Sequence, residues 1–314
     1  MWQRINQSSP LLASPPCVDS GTAKPLVNEI SESFKFTAIE LESVKPKEGI
    51  PTPAPVITPD KDPNIPYKVA ELDEFEVESY LRKIRNFDAI FASDIYLDAR
   101  YEALLLRTTQ HLSRVETHIG HGNFNLMSFD EMLRYGRSFA EIGKFEADEL
   151  NFREEVFFAN PNRYGFFGKK ISAEITDFIP RNDVAKIPNT AHFLLRGKSE
   201  ALYHQIKKDV GDEVVLISGV RSIVKQMHLF LAKAIEANGN LSRASRSLAP
   251  PAHSHHGIGD FDIGKIGLGA KNFTADFSQT AEYKKIARLG YVDIRYPTDN
   301  LFGIRFEPWH IKIT

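Results

Sequence analysis

Cysteine is almost absent: Cys17 is the single one in 314 residues, so no internal disulfide can brace the fold and no thiolate cluster can hold a metal. Any metal must be taken by histidine and carboxylate side chains. Long apolar runs are missing as well. No stretch of about 18 apolar residues occurs, which excludes a membrane-spanning helix. The N-terminal MWQRINQSSPLLASPPC lacks the unbroken apolar stretch of about 7–15 residues that a secretory signal needs. As written, the sequence therefore has no clear export signal, although a start site set too far downstream would give the same picture. Nor is there an excess of charge of one sign. With 39 Lys and Arg against 41 Asp and Glu, no global field draws the chain to nucleic acid or to an anionic membrane, so recognition must be local.

What is present is a 42% hydrophobic content, sufficient for a sizeable core, distributed unevenly. Residues 1–66 are rich in Pro, Ser, Thr and Lys without periodicity and read as a disordered or extended tether. Residues 67–165 read as a helical segment of unknown role. Leu104, Leu105, Thr108, Leu112 and Val115 recur at helical spacing, and Ser128-Phe-Asp-Glu131 and Ser138-Phe-Ala-Glu141 both have the form of a capping box. The aromatics Phe139, Phe145, Phe152, Phe157 and Phe158 are expected in the core. His118 and His121 in HIGHG have metal spacing, but the flanking glycines and the lack of a third ligand favour a loop.

From residue 166 to 314 the texture is mixed. SEALYHQIKKDVG reads as a helix closed by Gly211, DEVVLIS as a strand and SIVKQMHLFLAKAIEANG as a helix closed by Gly239. FDIG, YVDIRYP and GIRFEPWHIKIT read as short strands. Helices beside short strands without a βαβ rhythm predict an α+β domain, a small antiparallel sheet with flanking helices.

Three of the ten histidines, His253, His255 and His256, fall within four positions and are followed by Asp260 and Asp262; His310 lies near the C-terminus in Glu307-Pro-Trp-His310. Imidazole with carboxylate suits zinc, and a catalytic zinc needs three protein ligands and one open position. The stretch Ser247 to Gly264 resembles the Ser-x-His-x-x-Gly-x-Ala-x-Asp motif of VanY-type D-Ala-D-Ala carboxypeptidases, of the wider LAS group of zinc peptidases. Glu307-Pro-Trp-His310 is similar to the Glu-x-Trp-His signature of that family, and Ile217-Ser-Gly-Val-Arg-Ser-Ile-Val-Lys-Gln226 to its Ser-Gly-x-Arg-Ser segment. The likeness covers the C-terminal third, so 166–314 is expected to be a zinc peptidase domain.

The resemblance implies Zn2+ held by His256, Asp262 and His310. Asp262 follows His256 by six positions where the family has seven, so His255 remains the alternative first ligand, and a pairing of His253 with Asp260 also keeps the spacing. Asp260, two residues from Asp262 and on the same side of a strand, is expected behind the ligands. The metal would polarise a water and the scissile carbonyl, with Glu307 as general base. An ideal strand would put residues 307 and 310 on opposite faces; Pro308 permits a bulge that brings them together. Arg221, at the exit of a strand, would stabilise the oxyanion or grip a substrate carboxylate, and Gln226 and Ser254 would hold substrate by hydrogen bonds. The expected activity is removal of a terminal D-alanine from peptidoglycan stem peptides or muropeptides, which would place the enzyme in the periplasm or cell envelope. The alternatives are a zinc endopeptidase, an L,D-carboxypeptidase, and a non-catalytic binding protein with a degenerate site.

Overall fold

The computed structural model describes residues 74–313; the tether expected over 1–66, and Cys17 with it, lies outside the described residues. Helix α1 spans Glu74–Arg85 and α2 Glu102–Ile119. Gly120, at φ 82°, breaks the chain between α2 and the short α3, His121–Phe124. Helix α4, Phe129–Ser138, begins with the first expected capping box: Ser128 Oγ accepts from Glu131 N (3.1 Å) and the Glu131 carboxylate accepts from Ser128 N (3.0 Å). The second Ser-x-x-Glu is not a cap. Ser138 is the last residue of α4 and Phe139 its C-cap, because the chain turns there toward Gly143 instead of starting a new helix. The next helix, α5 (Ala147–Phe158), is boxed by Glu146 and Glu149. Phe152 and Phe157 are core residues, whereas Phe139 and Phe158 reach the surface with 38% and 42% exposure.

A hairpin of β1 (Val184–Lys186) and β2 (Phe193–Leu195) leads to α6, Lys198–Val210, which stops at Gly211 as its sequence predicts. Strand β3 is Val214–Ser218, and α7, Ile223–Glu236, follows with Ser222 as N-cap, its Oγ accepting from Lys225 N at 3.2 Å. Then come α8 (Leu241–Ser247), β4 (Phe261–Lys265), α9 (Ala281–Ile286), β5 (Ile294–Tyr296) and β6 (Glu307–Ile311). The four strands form one antiparallel sheet in the order β3-β4-β6-β5, so the α+β expectation holds. Among the described residues no helix is long and apolar enough to cross a membrane.

Among the described residues three apolar clusters are buried, and the two larger ones position the rest. On one face of the sheet, Leu216, Phe261, Ile263, Trp309 and Ile311 pack with Tyr203, Ile206 and Val210 of α6. The other cluster joins Leu105, Leu112 and Val115 of α2, Met132 of α4 and Phe152 and Phe157 of α5 to Ile223, Val224, Met227, Phe230 and Leu231 of α7. It runs across residue 165, where the sequence texture changes, and buries both faces of that change in one core. Each such side chain contributes about 1.5–3 kcal/mol on burial, so α7 is held firmly against the helical segment.

Candidate metal centre

Asp262 and His310 are direct partners across β4 and β6, and Ser218 faces Asp262 from β3. Cross-strand partners point to the same face, so a row of polar groups crosses the middle of an otherwise apolar sheet. His256 reaches that row from the 3-10 turn His255–Ile258, which Gly259 closes at φ 116° just ahead of β4. His256, Asp262 and His310 are all buried, and one ligand atom from each lies within 4.8 Å of the others.

Both imidazoles are fixed through the nitrogen that faces away from the group. His256 Nδ1 lies 2.7 Å from the Gly219 carbonyl, to which it donates, and its Nε2 lies 3.3 Å from Asp262 Oδ2. Residue 219 has to be glycine, since a Cβ there would run into the Phe193 carbonyl. His310 Nε2 lies 3.1 Å from Asp260 Oδ2, leaving Nδ1 3.4 Å from Asp262 Oδ1 and 3.3 Å from Glu307 Oε2. Metal-ligating histidines are oriented in this way by an acceptor behind the ring. Asp262 Oδ2 accepts from Arg221 Nη2 at 2.7 Å, but its Oδ1 is buried with no hydrogen-bond partner. An orphaned buried acceptor costs about 1–3 kcal/mol, and a cation would relieve it.

The electrostatics point the same way. Burial, reinforced by the Arg221 charge, lowers His256 to about 4, so it is a neutral imidazole with a free lone pair. Burial alone would raise Asp262, yet His256, Arg221 and His310 together hold it down at about 2. His310 behaves oppositely to His256: burial would lower it, but Asp260 and Glu307 raise it to about 9. Asp260 lies well below the usual carboxylate range despite its burial, because His310 and Arg295 both donate to it. Positive charge is therefore favoured beside Asp262, Glu307 and Asp260, and the His310 proton supplies it where a metal cation would take its place.

Glu307 joins His310 on one side because the strand bulges. Ile294 pairs with Ile311 but Tyr296 with Glu307, so β6 carries two extra residues against β5 over the stretch that contains Pro308. Arg221 leaves the end of β3 and donates through Nε to Ser218 Oγ (2.9 Å), through Nη1 to Gln226 Oε1 (3.4 Å) and through Nη2 to Asp262. Gln226 is buried behind it, its Nε2 spent on the Ala249 carbonyl at 2.6 Å, so it bears on the site through Arg221. Ser254 opens the turn that carries His256. His253 is turned away, with Nδ1 3.0 Å from the Gly168 carbonyl and its ring against Phe166. His255 is buried but falls outside the three-residue ligand group. His118 and His121 flank Gly120 at a junction of two helices, and His118 packs its ring on Phe139.

Three contributors were not legible beforehand. Arg295 donates twice to Asp260, at 2.7 and 3.0 Å. The Gly219 carbonyl fixes His256, and the Tyr296 ring packs edge-on against His310, with centroids 5.0 Å apart. Each depends on a strand register that only the fold supplies.

Residues 195–313 match the sequence model of the VanY family, described as D-alanyl-D-alanine carboxypeptidase. The resemblance carried by the three motifs is thus borne out over the C-terminal segment. Two solved structures are similar to this chain. One is a mutant of the vancomycin-resistance D,D-pentapeptidase VanY from a VanB-type cassette in complex with Zn(II), at 22% identity over 43% of this chain and 82% of that one, TM-score 0.33. The other is VanYB in complex with D-alanine-D-alanine, at 20% identity over 46% of this chain and 84% of that one, TM-score 0.34. No curated protein matches the chain.

Proposed function

From the match of residues 195–313 to the VanY family we infer that this protein is a zinc-dependent D-alanyl-D-alanine carboxypeptidase acting on peptidoglycan stem peptides. The observation that carries the zinc reading is the buried group of His256, Asp262 and His310, with two pre-oriented imidazoles and the orphaned Asp262 Oδ1. These residues fit a cation that prefers nitrogen and oxygen ligands, with His256 offering Nε2 and His310 Nδ1. When bound there, zinc supplies Lewis acidity that polarises a water and the scissile carbonyl.

Glu307 is the base. It is buried, lies 3.3 Å from His310 Nδ1 at the edge of the ligand group, and is free to take a proton from the attacking water and return it to the leaving amine. Arg221 commits three of its five N–H groups to Ser218, Gln226 and Asp262. The remaining two serve the carbonyl oxygen as it gains charge, or the terminal carboxylate of the substrate. Asp260 and Arg295 keep His310 in place. The test is hydrolysis of a synthetic stem peptide ending in D-Ala-D-Ala, beside one ending in a single D-Ala carried on an L-residue and a cross-linked dimer. Release of D-alanine from the first alone supports the reading. Cleavage of the dimer alone would make the enzyme an endopeptidase, and no turnover of any would make it a binding protein.

A further inference from the structure

The helical segment lies outside the matched residues, yet it grips the one turn that carries Arg221 and Gln226. Glu116, on the last turn of α2, holds three groups with one carboxylate. Its Oε1 lies 2.7 Å from Lys225 Nζ and 2.6 Å from His121 Nδ1, and its Oε2 lies 2.9 Å from His228 Nδ1. Lys225 and His228 belong to α7 and are buried. Two more bonds tie the same turn to the same segment: Ser222 N donates to the Asn125 carbonyl (2.8 Å) and Ser222 Oγ to that of Phe124 (3.4 Å).

Ser113 Oγ, 2.9 Å from His228 Nε2, gives Ser113, His228 and Glu116 the connectivity of a nucleophile triad. It is not one. Ser113 lies inside α2, its Oγ donates to the Thr109 carbonyl (3.0 Å), and the surrounding backbone N–H groups are consumed by the helix, so no donor is left for an oxyanion.

What the cluster does follows from Lys225. Its ammonium sits in a poorly solvated place, against the Phe124 ring, four residues along the chain from Arg221. Burial and the charge of Arg221 both disfavour its protonated form, and Glu116 is what favours it. The charged or titratable groups around it are Glu116 from α2, His121 from α3, His192 from the loop before β2, and Arg221 and His228 along its own stretch of chain. Of these only Glu116 is acidic. We propose that Glu116 is a positioning residue of the active site: by neutralising Lys225 it keeps a second buried cation from displacing Arg221, so the helical segment completes a site whose chemical groups all lie after residue 195. Without Glu116 the repulsion falls on the guanidinium that holds Asp262, and a shift of about 1 Å in a positioning group costs up to about 10²-fold in rate.

The inference borrows its assay from the carboxypeptidase reading, so it is tested on two readouts with the full-length chain: D-alanine release per zinc-loaded molecule, and zinc affinity by competition with a chelator. Glu116→Gln is expected to lower kcat/KM about 10–100-fold and to weaken zinc several-fold. Adding Lys225→Met, which removes the stranded charge, is expected to restore both to within a few-fold, and Lys225→Met alone should stay near wild type. In Glu116→Gln, activity should also recover with rising pH as Lys225 sheds its proton, a limb the wild type lacks. A Glu116→Gln protein with wild-type kinetics and zinc affinity would overturn the proposal, as would a loss that Lys225→Met does not relieve. Should that variant not fold, Glu116→Asp asks the same question with the charge retained but withdrawn by one methylene. A smaller loss relieved by Lys225→Met supports the proposal, and unchanged kinetics and affinity overturn it. If the wild type releases no D-alanine but zinc affinity follows the same pattern across the variants, the positioning role stands and the functional reading falls.

Discussion

Replacing Asp260 with Asn keeps the shape of the side chain and removes the charge on which His310 leans. Asp260 is wholly buried and accepts from Arg295 Nε (2.7 Å) and Nη2 (3.0 Å), from Ile313 N (2.9 Å) and from His310 Nε2 (3.1 Å). Two losses are expected, and they are separable. The Arg295 guanidinium, 8% exposed, would face a neutral amide, and breaking a buried ion pair from one side costs about 3–5 kcal/mol of stability. His310 would lose the charged acceptor behind its ring, and such groups behind a metal ligand are worth about 10–100-fold in metal affinity. Adding Arg295→Met to Asp260→Asn should restore most of the stability and none of the zinc affinity. Urea denaturation reads the first term and chelator competition the second. The pH dependence has a definite sign. The folded-state pKa of Asp260 is depressed, so its contribution is present above the unfolded value of about 3.9 and is lost as pH falls through the folded one. The stability gap between wild type and Asp260→Asn should therefore close in acid. Zinc binding by Asp260→Asn as tight as by the wild type would refute the idea that Asp260 holds His310 for the metal.

Glu307→Gln should retain zinc and stability while hydrolysis falls by roughly 10²–10⁴-fold, checked by metal content beside turnover; loss of the metal would make Glu307 a ligand. Because His310 is raised to about 9 without metal, zinc binding near neutral pH should release about one proton, seen by calorimetry in buffers of different ionisation enthalpy. In the metal-free protein the stability that His310 adds is complete below its unfolded value of about 6.5 and is lost as pH rises through about 9, so the melting temperature should decline over that window. Leu112→Ala, at a position with no exposure, should cost about 2–5 kcal/mol and lower the single melting transition of all described elements together. Two separate transitions would show that the helical segment and the sheet do not share a core.

The residues that carry chemistry were legible because they sit in short motifs: His256 and Asp262 six apart, Glu307 and His310 three apart. The end of α6 was legible because Gly211 supplies the stop, whereas α7, expected to close at Gly239, ends at Glu236, and Asn238 (φ 54°) takes the left-handed turn ahead of Gly239. What the motifs could not give is anything fixed by pairing over distance. Asp262 meets His310 through the β4–β6 register, and the side on which Glu307 lands depends on two extra residues in β6. Arg295 reaches Asp260 across 35 positions and Glu116 reaches Lys225 across 109, with no local pattern to mark either. Ser138 does not cap because Ser-x-x-Glu is not sufficient for a capping box: the chain after Ser138 turns away from the helix instead of beginning another.

The most direct test of the account is zinc content measured alongside D-alanine release, in wild-type protein and in His310→Ala. The account predicts about one zinc per wild-type chain, hydrolysis of a D-Ala-D-Ala peptide that a chelator abolishes and added zinc restores, and loss of both metal and activity in His310→Ala. Tight zinc binding by His310→Ala, or hydrolysis that survives complete removal of the metal, would contradict it.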